Sequence, residues 1–272
     1  MDFTPVQSPS PVDSSTWQVP AYRIDRLAER KHDYCVVIPV INEGKRIADL
    51  LRRMSELGTP SLADILIVDG GSTDGSLDLA MLSSRSVTAL ITKTGPGKLS
   101  AQLRCGYAYA LEAGYAGIVT IDGNNKDDPE PIGAFIEALQ NGVDFVQASR
   151  FIPGGIAENT PLTRWVAIRL LHAPLSSLAG RKWWTDTTQG FRAYSRRLLF
   201  DDRIQPFRDV FATYELLAYL SVRAPRLGYV CIELPTARRY PPGEVPTKIS
   251  SIRGNFKVFR ILLAACLGAY NP

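Results

Sequence analysis

Ile118-Val119-Thr120-Ile121-Asp122-Gly123-Asn124-Asn125-Lys126-Asp127-Asp128-Pro129-Glu130 is the stretch that decides the fold. Its first four residues are β-branched and uncharged, as a buried strand requires, and the next ones carry oxygen-bearing side chains. So abrupt a change places chemistry at the carboxyl end of a strand, where Asp and Asn oxygens suit a hard cation that bridges phosphates. An acidic surface loop would have the same composition, so the flanking elements have to decide between the two.

Upstream, the pattern of strand, polar turn and helix repeats. Residues 34–39 (Tyr-Cys-Val-Val-Ile-Pro) read as a buried strand closed by proline, followed by Asn42-Glu43-Gly44 and a helix over 46–57 with Ile47, Leu50, Leu51, Met54 and Leu57 on one face. Residues 63–68 form a second strand that runs into Asp69-Gly70-Gly71-Ser72-Thr73-Asp74-Gly75, a tight turn ahead of a helical segment at 76–83. A weaker strand at 87–92 leads to Gly95-Pro96-Gly97-Lys98, whose glycines permit close backbone approach, and to a helix over 99–113. Downstream come a helix at 131–141 and a strand at 144–150. This rhythm predicts an α/β fold: a Rossmann-like, mostly parallel sheet with helices on both faces and ligand chemistry at the strand ends.

The remaining segments set the boundaries. Residues 1–20 hold Pro5, Pro9, Pro11 and Pro20 among polar residues and read as a flexible arm, and 21–31 as a short lead-in helix. The main domain is expected over 32–250. Within it, 163–179 reads as a buried helix interrupted by Pro174, followed by an aromatic and charged run from Arg181 to Tyr194, a helix with Glu215, and a strand at 229–235. Residues 251–272 form a basic amphipathic helix, with Phe256, Val258, Phe259, Ile261, Leu262 and Leu263 beside Arg253, Lys257 and Arg260.

The chain has 272 residues, is 45% hydrophobic and carries a net charge of +4, enough for a sizeable core and too little clustered charge to favour nucleic acid as a partner. A phosphate-rich small ligand or an anionic membrane surface fits. Cys35, Cys105, Cys231 and Cys266 have no metal-type spacing and read as buried thiols in a reducing compartment. With no signal-like start and no window of spanning length, the expectation is a cytoplasmic protein, at most peripheral to a membrane.

These residues together resemble the family-2 glycosyltransferases of GT-A fold, and among them the dolichyl- and polyprenyl-phosphate mannosyl- and glucosyltransferases. The likeness is carried by residues 37–43 (Val-Ile-Pro-Val-Ile-Asn-Glu), the Asp69–Gly75 turn, Asp122-Gly123-Asn124, residues 186–192 (Asp-Thr-Thr-Gln-Gly-Phe-Arg), the Glu215 helix and the basic loop at 238–248. The resemblance implies a hexosyltransferase that moves sugar, with inversion, from a nucleotide-diphosphate sugar to a polyprenyl phosphate, assisted by Mg²⁺ or Mn²⁺. A soluble or cell-surface glycan hydroxyl as acceptor, or a nucleotide-sugar-binding module without turnover, stands as the alternative.

By the same resemblance, Pro39, Asn42, Glu43, Asp69, Asp74, Gly97, Lys98, Asp122 and Gly123 would hold the donor. Asp122 and Asn124 fall where the family keeps its metal-binding Asp-x-Asp. Asn124 departs from that pattern: an amide oxygen brings no charge, so Asp127 or Asp128 is an alternative source, and His172 a further candidate ligand. An acceptor phosphate is already an anion and needs no general base, whereas an alcohol does. Asp186 is expected either to orient Arg192 or to act as that base, with Arg150, Arg192 and Arg239 holding phosphates. Trp183 and Trp184 line an acceptor groove or pack as core and rim.

Overall fold

The computed structural model describes residues 14–241 and 252–272. Its centre is an eight-stranded sheet in the order β1-β4-β3-β2-β5-β8-β6-β9. The strands are β1 (Tyr22–Arg26), β2 (Tyr34–Val40), β3 (Asp64–Asp69), β4 (Val87–Lys93), β5 (Gly117–Thr120), β6 (Phe145–Ser149), β8 (Arg192–Ser195) and β9 (Cys231–Pro235), and β7 (Ile156–Glu158) pairs separately with β10 (Ala237–Arg239). Strands β4, β3, β2 and β5 are parallel, as are β6 and β9, whereas β1 and β8 run the other way. The chain steps outward from β2 through β3 to β4 and then crosses back to set β5 on the other side of β2. Between β2 and β5 the order reverses, and in open α/β sheets the crevice outside such a reversal is where ligands bind.

Why these strands are central is plain from their side chains. Alternate residues of β2 face opposite ways, Cys35 and Val37 into one core and Val36, Ile38 and Val40 into the other, and all are buried. Helices α3 (Leu99–Glu112) and α8 (Glu215–Arg226) cover the first face; α1 (Lys45–Glu56) and α4 (Ile132–Gln140) cover the second. In α1 the apolar stripe Ile47, Leu50, Leu51 and Met54 meets the sheet while the charged face stays in water. α2 (Leu79–Ser84) starts later than the expected residue 76, where the Asp78 side chain caps it by accepting from the Met81 N–H.

Three expectations are corrected. Residues 21–31 contain an edge strand, β1, in place of a helix, because their backbone completes the hydrogen bonding of β4. The arm is anchored at its end: Trp17 stacks on Phe207 with ring centroids 4.0 Å apart and the Gln18 N–H donates to the Phe207 carbonyl, while residues 1–13 lie outside the described residues. Residues 163–179 are helical but only half-buried, with Ile168, Ala173 and Ser176 turned inward. They form α5 (Leu162–Ala167), a π turn (Ile168–His172) and α6 (Ala173–Gly180), with Leu162, Leu170 and Leu178 exposed at 75%, 64% and 81%. Pro174 falls in the first turn of α6, where its missing N–H costs nothing, so the helix resumes instead of stopping. The last helix, α9 (Ile252–Cys266), packs across α6 and α8 through Ile261, Leu262 and Ala265. α7 (Arg196–Phe200) follows β8 directly.

Candidate active site

The site is assembled from loops at the carboxyl ends of β2, β3 and β5. Pro39 is the next-to-last residue of β2, and its carbonyl accepts the Gly123 N–H at 3.3 Å, tying the β2 end to the β5 end. Asn42, in a left-handed conformation (φ 50°), links two loops: its N–H donates to Ser72 Oγ at 3.0 Å and its Oδ1 accepts the Thr73 N–H at 2.8 Å. Asp69 folds the β3 turn by accepting the N–H groups of Gly71 and Ser72 at 3.1 and 2.8 Å. Asp74 accepts from the Ser76 hydroxyl and N–H and from the Gly44 N–H, bonds that hold its carboxyl below the usual carboxylate range. Glu43 is buried and ion-paired with Arg46 at 2.9 Å. Gly97 needs its positive φ of 102°, and a Cβ there would lie 2.4 Å from that of Ala101; the Lys98 N–H donates to the Ala212 carbonyl at 2.7 Å.

Asp122 stands at the mouth of the crevice, its side chain 22% exposed. Gly190, just before β8, leaves room for it, since a Cβ at Gly190 would fall 2.3 Å from Asp122 Oδ1. Asn124 sits differently from expectation: its Oδ1 accepts the Lys126 N–H at 3.1 Å and its amide nitrogen lies 3.5 Å from Asp122 Oδ2. Its oxygen shapes the turn. Behind Asp122, the buried Asp127 pairs with Arg238 at 2.5 Å, and the same guanidinium reaches Asp122 Oδ2 at 3.3 Å. Burial raises the Asp127 carboxyl against the pull of Arg238, and burial together with Arg238 pushes the Lys126 ammonium down to about 8.

A donor set of one open carboxylate suits a Mg²⁺- or Mn²⁺-type ion that takes its other oxygens from a diphosphate and water. Among the described residues no three His, Cys, Asp or Glu side chains are gathered to hold a metal, so His172 does not join Asp122 and Asp127. It lies in the π turn, where burial and the Arg164 charge lower its pKa.

Asp186 and Arg192 also have other partners than expected. Asp186 is fully buried and gripped by Arg150 through two bonds, Nε to Oδ2 at 2.7 Å and Nη2 to Oδ1 at 3.1 Å, with Thr188 and Gln189 donating as well. Burial opposes its charge, but Arg150 and these bonds outweigh that and hold the carboxyl below the ordinary aspartate range. Arg192 is buried too and spends its donors on the carbonyls of Gln189, Thr187 and Leu217 and on Ser221 Oγ. It is a scaffold residue of β8, not a phosphate ligand, and Asp186 orients Arg150 in its place. Arg239 is half-exposed at the rim and paired with Asp128 and Glu158. Trp184 is core, its indole N–H donating to the Ser221 carbonyl, whereas Trp183 is 75% exposed.

The sequence offered no sign of the cluster around Tyr240. Lys126, Arg164 and Arg238 lie 5.6, 5.8 and 5.6 Å from its ring centre, and Arg150 Nη1 is 3.5 Å from its hydroxyl. Arg164, on α5, makes no salt bridge among the described residues, and Asp122 is the carboxylate whose charge acts on it. The remainder of the basic loop, residues 242–248, lies outside the described residues.

Comparison with known proteins places this geometry: residues 35–201 match the model of Glycosyl transferase family 2. The chain belongs to this family. The transferase is 29% identical over 203 residues to the polyprenol monophosphomannose synthase of Mycolicibacterium smegmatis, covering 74% of this chain and 75% of that one. It is 30% identical to the undecaprenyl-phosphate mannosyltransferase of Micrococcus luteus (73% and 80% covered), and 29% identical to the dolichyl-phosphate hexose transferase of Haloferax volcanii (86% and 94%). Among solved structures it resembles mannosyl-3-phosphoglycerate synthase from Rubrobacter xylanophilus, with TM-score 0.60, 14% identity, and 86% and 72% covered. It also resembles glucosyl-3-phosphoglycerate synthase from Mycobacterium tuberculosis in complex with Mn²⁺, UDP and glucosyl-3-phosphoglycerate, with TM-score 0.56, 18% identity, and 88% and 79% covered. The transferase thus has the GT-A fold of these neighbours.

Proposed function

We propose that this transferase moves a hexose, with inversion, from a nucleoside-diphosphate sugar to a polyprenyl phosphate. The observation that carries the choice of acceptor is the state of Asp186. The carboxylate best placed by sequence to serve as a base for an alcohol is locked to Arg150, and a phosphate acceptor needs no base because its oxygen is already ionised at neutral pH. The names of the relatives, which specify polyprenol, undecaprenyl-phosphate and dolichyl-phosphate substrates, support the same choice.

In this reading the loops built by Pro39, Asn42, Glu43, Asp69 and Asp74 hold the nucleoside, with Gly97, Lys98 and Gly123 along the donor. Asp122 holds a Mg²⁺ or Mn²⁺ ion, which when bound draws off the charge that grows on the diphosphate as the glycosidic bond breaks. Arg164 receives the acceptor phosphate, because its guanidinium lies over Tyr240 beside the site and makes no salt bridge among the described residues, and Arg239 stands at the rim. α5, the π turn and α6 carry Leu162, Trp165, Val166, Leu170, Leu171 and Leu178 outward beside Arg164 and Arg169. An isoprenoid chain whose phosphate sits at Arg164 would lie along this surface, at the cytoplasmic face of a membrane. No helix among the described residues is long and apolar enough to cross one.

The test uses GDP-, UDP- and dTDP-sugars labelled in the hexose, with polyprenyl phosphate and Mn²⁺ or Mg²⁺. Label should pass into the organic phase with one donor and be lost in Asp122→Ala. Label transferred only to water-soluble acceptors would refute the lipid phosphate as substrate.

A further inference from the structure

Arg238 sits between two unequal carboxylates. Asp127, on one side, is fully buried; Asp122, on the other, is open to the crevice. Leaving Asp127 would strand a buried charge, whereas leaving Asp122 exposes a carboxylate to water and ligands, so the bond that yields is the one to Asp122. The distances agree: 2.5 Å to Asp127 Oδ2, against 3.3 Å from each of Nη1 and Nη2 to Asp122 Oδ2. A second station is also ready, because Asp127 Oδ1 is buried and has no hydrogen-bond partner among the described residues. A guanidinium released from Asp122 can take that oxygen and complete a two-bond grip on Asp127.

Charge balance points the same way. Asp122 and Asp127 share the one guanidinium of Arg238, so a divalent ion arriving alone must displace it, and two carboxylates then face three positive charges. A diphosphate arriving with the ion removes that excess and gives the displaced donors an anion to meet. We propose that Arg238 is a resident cation of the leaving-group site, which occupies Asp122 until donor and divalent ion arrive and then, still held by Asp127, turns its free N–H donors to the diphosphate. Arg238 then does two things. It weakens ion binding in the absence of nucleotide, and it leaves a diphosphate some affinity in the absence of the ion. This inference rests on the diphosphate site proposed above and adds the residue that couples its two ligands.

The test is binding, not turnover. Mn²⁺ is titrated by electron paramagnetic resonance into the native protein, Arg238→Gln and the double variant Asp127→Asn/Arg238→Gln, each alone and with UDP or GDP. The double variant removes both partners and so guards against misfolding from a stranded Asp127, and retained circular dichroism admits a variant to the comparison. Without nucleotide, the variants should bind Mn²⁺ about tenfold tighter or more than the native protein, the size of one charge-assisted contact. With chelator, they should bind UDP and GDP correspondingly more weakly. Mn²⁺ affinity equal to or below native in the folded variants would overturn the proposal, as would unchanged nucleotide binding in chelator. If neither nucleotide alters Mn²⁺ binding to the native protein, the diphosphate reading itself fails, whereas competition between Mn²⁺ and Arg238 is measured without nucleotide.

Discussion

A single methyl group at Gly190 should disable the transferase while leaving it folded. The backbone there does not need glycine's freedom, so Gly190→Ala adds only a Cβ, and that atom would lie 2.3 Å from Asp122 Oδ1 and 3.1 Å from its Cγ. Ordinary contact begins near 3.4 Å, so the carboxylate oxygen must retreat by about 1 Å. The clash is with one partly exposed side chain, not with backbone, so relief is cheap. A cost at the low end of overpacking, ~1 kcal/mol, lowers the melting temperature of a chain this size by about 2–4 °C. Misplacing a positioned group by ~1 Å costs on the order of 10²-fold in rate. Differential scanning fluorimetry and labelled-donor transfer on the same preparation should therefore separate, with a small thermal shift beside a large loss of transfer. A Gly190→Ala protein with native transfer rate and native Mn²⁺ response would show that the Asp122 carboxylate is not in the reacting centre.

Two further outcomes follow from the network behind the site. Asp186→Ala leaves Arg150 charged and buried, at a cost of ~3–5 kcal/mol seen as a lower denaturation midpoint. The folded Asp186 pKa is depressed, so its stabilisation is fully present above the ordinary aspartate value, ~4, and is lost only as pH falls below it; urea midpoints for the native protein should decline there, and an Asp186→Asn protein should show a shallower acid limb. On the surface, Leu170→Asp with Leu178→Asp should abolish co-flotation with anionic vesicles while leaving the melting temperature within about 2 °C, since both side chains are already in water; undiminished flotation would show that this face does not meet lipid.

Much of the fold was legible because its central strands are short apolar runs rich in β-branched residues that end abruptly in Asp or Asn, and because the pattern repeats along the chain. β1 was not, because Tyr22–Arg26 alternates charged and apolar residues that suit either structure, and only the open edge of β4 decides. Apolar spacing marked α5 and α6 as helices but carries no information about whether their stripe meets protein or something else. At the site, sequence proximity misled. Arg192 is near Asp186 in the chain, yet it turns to main-chain carbonyls, and Arg150, just after β6, arrives from the strand next to β8. Arg238 and Arg239 are neighbours with opposite fates, since alternation along β10 sends the first inward to Asp127 and the second out to Asp128. The sequence shows both arginines, but not which face is buried.

The reversed strand β8 bears on how the molecule comes to exist. Because it runs against β5 and β6, the residues before it lie at the same edge as Asp122, and the partners of that carboxylate come from late in the chain: Arg238 is 116 residues away along the backbone. A growing polypeptide can pair β2, β3, β4 and β5 well before β8 and β10 are made. At that stage Asp122 and Asp127 lack their cation, and the edge of β5 is open to any strand that meets it. Closure of this enzyme's working centre is therefore among the final events of its synthesis, and slowed translation across residues 190–240 should lengthen the time in which the half-built sheet is vulnerable to association.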